Sequence, residues 1–142
     1  MDAVFTKLNY KQGQTMYVLN SPDIFEDLLK TVPAEIPVIK DVNQNQPIDF
    51  IVIFGTQQIE FEKLAKTVTP LLNGDAIYWL AYPKASSKKY TCDFNRDSSW
   101  TIMEPYNMLP VRQISIDDDW SALRFRKADY IKNITRKKNV KV

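Results

Sequence analysis

The stretch DAIYWLAYPKASSKKYTCDFNRD, Asp75 to Asp97, contains an apolar run from Ala76 to Tyr82 that stops at Pro83-Lys84. An unbroken run of this length reads as a strand buried on both faces, as in a parallel sheet covered by helices. The loop beyond it carries Lys84, Ser86, Ser87, Lys88 and Lys89, with Arg96 further on. A basic, hydroxyl-rich loop at the carboxyl end of a buried strand is where an α/β protein holds an anionic ligand.

Upstream, Ile48 to Phe54 (IDFIVIF) is a second run of the same kind. Between the two runs, Gly55-Thr56 leads into a helix whose apolar stripe is Ile59, Phe61, Leu64, Ala65, Val68, Leu71 and Leu72. Asn73-Gly74 supplies the residues that end a helix. Nearer the N-terminus, residues 15–20 (TMYVLN) read as a short strand. Ser21 then stands as an N-cap with Pro22 at the first helical position, and Ile24, Phe25, Leu28, Leu29 and Val32 repeat at helical spacing until Pro33. Downstream of the basic loop, the pattern predicts a helix over 97–108, interrupted by Pro105. Strands over 111–116 and 122–126 follow, joined by the acidic turn Asp117-Asp118-Asp119-Trp120. This alternation predicts an α/β fold: a three-layer, Rossmann-like, mostly parallel sheet with a C-terminal antiparallel β-hairpin.

The chain has 142 residues, 44% hydrophobic and 25% charged, which suits one domain over 1–131. Its net charge of +2 conceals an asymmetry. Residues 132–142 hold Lys132, Arg136, Lys137, Lys138 and Lys141 and no acid, which leaves 14 basic against 17 acidic residues in the body. The tail reads as a solvated basic end, and nucleic acid is not an expected partner. Cys92 is the single cysteine, so no internal disulfide forms and a reducing cytoplasm is the simplest compartment. No secretory leader and no run long enough to cross a bilayer is present, so no membrane contact is expected.

The absence of histidine excludes imidazole-activated serine or cysteine nucleophiles and histidine-bound zinc. The only glycines, Gly13, Gly55 and Gly74, lie far apart, so neither a dinucleotide fingerprint nor a phosphate-cradling loop can be built. No cofactor and no metal is expected. Asp117, Asp118 and Asp119 alternate in direction and read as a turn, not an ion site. Cys92, with Asp93 beside it, reads as a structural thiol.

Two motifs carry a resemblance. Trp79 to Lys84 forms W-x-x-x-P-K and Asp119 to Ala122 forms D-W-S-A. With the leader KLNYKQGQ, they resemble a bacterial family of small Rossmann-like α/β proteins of unknown function. The resemblance implies that fold, with a terminal hairpin, and brings no activity. The element order is also similar to that of the S-adenosylmethionine-dependent methyltransferases, which end in a comparable hairpin. Those enzymes have a Gly-rich turn after the first strand, where this chain has Asn20-Ser21-Pro22-Asp23.

The leading expectation is therefore a non-catalytic module that binds an anionic small molecule through Lys84, Ser86, Ser87, Lys88, Lys89 and Arg96. Tyr82, Tyr90 and Phe94 flank the loop; they, Trp79 and Trp120 read first as core or core rim, and Trp100 is placed to cover the mouth of a pocket at the strand ends. One alternative is an interaction module that forms a homodimer through the hairpin. The other is a degenerate methyltransferase-like enzyme, with Lys84, Asp93 or Tyr82 as acid or base.

Overall fold

The computed structural model describes residues 1–43, 45–93 and 101–131. Its strands are β1 (Met16–Leu19), β2 (Val38–Ile39), β3 (Ile48–Phe54), β4 (Leu72–Pro83), β5 (Met108–Ser115) and β6 (Trp120–Lys127). The α-helices that lie wholly within the described residues are α1 (Val4–Lys7), α2 (Asp23–Leu29) and α3 (Gln58–Val68). The strands form one sheet in the order β2-β1-β3-β4-β6-β5.

The first four strands are mutually parallel, and β6 pairs antiparallel with both β4 and β5. β5 consequently runs in the same direction as β4 without pairing with it. The Rossmann-like α/β class and the mostly parallel sheet expected from the sequence are present. The terminal hairpin is also present, but its second strand is inserted between β4 and β5.

Alternating side chains divide the sheet into two buried faces. On one face, Tyr17, Ile51, Ile53, Tyr78, Leu80, Leu123 and Phe125 pack with Phe61, Ala65 and Val68 of α3 and with Ile102 and Met103. On the other, Met16, Val18, Phe50, Val52, Trp79 and Ala122 pack with Val4, Phe5 and Leu8 near α1 and with Phe25 of α2. Helices thus cover both faces, which explains why β3 and the second half of β4 are apolar without alternation. Burial on one face pushes the Tyr78 phenol well above its ordinary pKa, and its hydroxyl lies 3.4 Å from that of Thr69.

Several boundaries differ from the sequence expectation. α3 ends at Val68, a short 3₁₀ turn (Thr69–Leu71) follows, and Asn73-Gly74 already lies inside β4. Pairing steps from Ile48–Leu72 to Phe50–Ile77, so Gly74, at φ +55°, serves a bulge and not a helix end. Pro22, not Ser21, occupies the N-cap of α2, while the Ser21 hydroxyl donates to Glu26. α1 and β2 have no counterpart in the sequence pattern. The beginning of the predicted helix over 97–108 lies outside the described residues; residues 101–103 are helical, and the turn Glu104–Tyr106 contains Pro105.

Candidate functional site

In an open α/β sheet the ligand crevice forms at the carboxyl ends of the strands, where successive connections leave in opposite directions. Here that point lies between β1 and β3, since β1 leads to β2 on one side and β3 leads to β4 on the other. Two cavities open along this rim. One, of about 790 Å³, is lined by residues including Tyr82, Lys84, Tyr90, Cys92, Gln113 and Ser121. The other, of about 380 Å³, is lined by Thr56, Gln57, Thr91, Cys92 and Asp93. Thr91, Cys92 and Asp93 line both, so the two form a continuous cleft over the ends of β3 and β4 and the start of β6.

The cleft walls are held by specific bonds. The Asp93 amide donates to the Thr56 carbonyl (3.1 Å), and Asp93 Oδ1 accepts from the Gln58 amide (2.6 Å). Glu60 Oε1 accepts from the amides of Thr56 and Gln57 (3.1 and 3.2 Å). Two carboxylates thereby satisfy the amino end of α3, whose first amides have no partner within the helix. At the opposite wall, Gln113 Nε2 donates to the Tyr82 hydroxyl (3.3 Å) and Lys84 Nζ donates to Ser115 Oγ (2.6 Å).

The described residues of the expected anion clamp are not brought together. Ser87 donates to Asp119 Oδ1 (2.8 Å) and accepts from the amides of Lys89 and Tyr90 (3.3 and 3.1 Å), so it organises the loop. Lys89 lies over the Tyr90 ring at 5.5 Å, and Ser86 and Lys88 do not line the cleft. Only Lys84 and Ser87 of the described set reach the cleft wall. Arg96, Phe94 and Trp100 lie outside the described residues. Asp119 takes the Ser87 hydroxyl, and Asp93 takes the Gln58 amide.

The acidic turn is structural. Asp117 Oδ1 accepts from the amides of Asp119 and Trp120, both at 2.8 Å, and the three carboxylates do not converge. Among the described residues, no group of three or more Asp, Glu or Cys side chains is placed to hold a metal ion. Trp120 is buried between Phe54 and Tyr90, with ring centroids at 5.3 and 5.0 Å. Cys92 is half-buried against the core.

The β1–α2 corner completes the rim. Asn20 is left-handed at φ +60°, and Pro22 contributes no amide hydrogen. Glu26 accepts from Ser21 and ion-pairs with Lys40, the residue after β2. The bonds from Lys40 and then Ser21 hold the Glu26 carboxyl below the ordinary glutamate pKa. A carboxylate lowered by folding adds stability above its unfolded pKa of about 4.3 and loses it as pH falls through the folded value. Glu26→Gln is therefore expected to flatten the acid limb of stability. Melting curves of both proteins between about pH 5.5 and 2.5 check this, and parallel curves would remove the contribution.

No protein-family model matches the sequence, and no curated protein matches it. Solved structures do resemble the fold. A protein described as a type 11 methyltransferase from Sulfolobus solfataricus aligns with a TM-score of 0.53 at 12% identity, over 93% of this chain and 82% of that one. An S-adenosylmethionine-dependent methyltransferase from Aquifex aeolicus gives 0.54 at 13%, over 86% of each chain. Magnesium protoporphyrin IX methyltransferase from Synechocystis, solved with S-adenosylhomocysteine, gives 0.57 at 5%, over 89% and 80%. At these identities the likeness shows a shared fold. It replaces the expectation of a non-catalytic anion-binding module: the fold is similar to that of methyltransferases, and Lys84, Ser87 and Lys89, expected to meet an anion, have partners within the chain.

Proposed function

We propose that the protein is a methyltransferase-like enzyme of degenerate type whose ligand site is the cleft over the ends of β3, β4 and β6. The observation that supports this most is the sheet order, with β6 alone antiparallel, on a fold similar to methyltransferases along nearly the whole chain.

The nucleoside donor of such enzymes does not suit the β1–α2 corner. Without glycine, backbone amides cannot approach a ligand closely there, and Pro22 supplies none. Asp23 and Glu26 place negative charge in the first turn of α2, where the donor's carboxylate would meet repulsion. The Glu26–Lys40 pair further occupies the rim between β1 and β2. The chain's own polar groups in the cleft remain. Asp93 accepts a proton or a hydrogen bond, the Tyr82 hydroxyl bridges to Gln113, and Lys84 places a positive charge at the mouth. These groups suit a small polar organic molecule that is oriented by hydrogen bonds and exchanges a proton with the wall.

Backbone chemical-shift mapping with S-adenosylhomocysteine as probe tests the reading. Weak binding is expected, with shifts at Thr56, Gln57 and Thr91 to Asp93 and none at Asn20 or Ser21. Tight binding with shifts at Asn20, Ser21 and Asp41 would make the protein a complete methyltransferase and overturn the degenerate corner. Absence of shifts at millimolar probe would remove the methyltransferase-like reading.

A further inference from the structure

The face of the β5–β6 hairpin opposite the cleft carries a second feature. Arg112 pairs across the strands with Arg124, and Arg126 stands two residues further along β6 on the same face. Cross-strand partners lie about 5 Å apart and alternate residues about 7 Å apart, so the guanidinium groups form one short row. One carboxylate, Asp75, meets the row, and Arg126 holds it with two bonds, Nε–Oδ1 3.0 Å and Nη2–Oδ2 2.5 Å. Arg124 has a buried Nε with no hydrogen-bond partner among the described residues. Burial first, then the neighbouring Arg126 and Arg112, pull its guanidinium pKa down despite Asp75. Among the described residues, Arg112 and Arg124 are thus left without a carboxylate of their own.

The chain ends its described course beside this row. Arg126 Nη2 donates to the Tyr130 carbonyl (3.0 Å), and the Tyr130 side chain is one of the few large apolar groups left exposed. Five positive residues and no acid follow in 132–142. A row of arginines with an exposed aromatic next to it combines backbone-phosphate recognition with a stacking platform.

We propose that this face of the β5–β6 hairpin, with Arg112, Arg124, Arg126 and Tyr130, binds single-stranded nucleic acid. Arg112 and Arg124, the two without a carboxylate, engage successive phosphates, and Tyr130, whose carbonyl Arg126 holds, stacks on a base. This site is separate from the cleft and reverses the partner expected from composition, where the acidic body concealed a local basic face. An acidic protein or an anionic membrane would share the charge attraction, but single-stranded nucleic acid is the partner that offers regularly spaced phosphates together with flat bases to stack.

Fluorescence anisotropy of the full chain with a labelled single-stranded oligonucleotide, titrated at several salt concentrations, tests the proposal. Binding is expected to weaken with salt. Arg112→Glu should weaken it about tenfold and lower the salt slope by about 0.7 for each phosphate no longer engaged. Tyr130→Ala should weaken it at least about fivefold. Unchanged melting temperatures for both variants confirm that the fold is intact. The proposal is overturned by absent or salt-independent binding, or by binding only to anionic vesicles. It is equally overturned if deleting 132–142 abolishes binding while Arg112→Glu and Tyr130→Ala leave it unchanged.

Discussion

Trp79→Ala is expected to destabilise the protein by about 3–5 kcal/mol, which lowers the melting temperature by about 10–15 °C. Trp79 is fully buried at the middle of β4, flanked in the sheet by Val52 of β3 and Arg124 of β6. Its indole Nε1 donates to the Leu8 carbonyl (2.8 Å), a bond that fastens the end of α1 onto the sheet. Truncation would remove a large apolar surface, open a cavity and leave that carbonyl without the indole. Trp79→Phe separates the contributions. It preserves most of the packing but strands the carbonyl, for an expected cost of about 1–3 kcal/mol. Equal stability of the phenylalanine variant and the wild type would show that the indole bond contributes nothing.

Gly55→Ala is the second substitution with a large expected effect, about 1–3 kcal/mol of destabilisation. A Cβ at this position would stand 2.9 Å from Phe61 Cζ, well inside contact distance. Phe61 is fully buried against the α3 side of the sheet, so its ring has no space into which to retreat. Gly55 also donates to the Ala81 carbonyl (3.1 Å), and the next residue, Thr56, anchors Asp93. Pressure at this point is therefore transmitted to the cleft wall. Adding Phe61→Leu to Gly55→Ala should recover part of the loss, measured by denaturant unfolding. Strictly additive losses would rule out the steric cause.

The two buried strands were legible because burial on both faces demands unbroken apolar runs, and IDFIVIF and AIYWLAY have few other readings. β2 was not legible, since Val38–Ile39 is too short to show a period. Asn73-Gly74 misled because a helix end and a bulge both need a residue that tolerates positive φ. Sequence adjacency revealed the antiparallel pairing of β5 and β6, but which of them faces β4 depends on contacts across the sheet. The basic loop does not assemble as an anion clamp for a similar reason. Its lysines and serines are local in sequence, whereas Asp119, which Ser87 serves, arrives from a distant turn. The arginine row was equally invisible, because only strand register sets Arg112 beside Arg124.

The position of β6 also sets the order in which the chain can complete itself. A ribosome delivers β1 to β5 before β6, yet among the described residues β5 has no partner in the sheet except β6. Until Trp120–Lys127 emerges, β4 exposes an unsatisfied edge, and such edges recruit other chains. The sheet is thus closed by a segment made after all its other strands, so a chain that stops near residue 115 would present a sticky open edge rather than a smaller working domain.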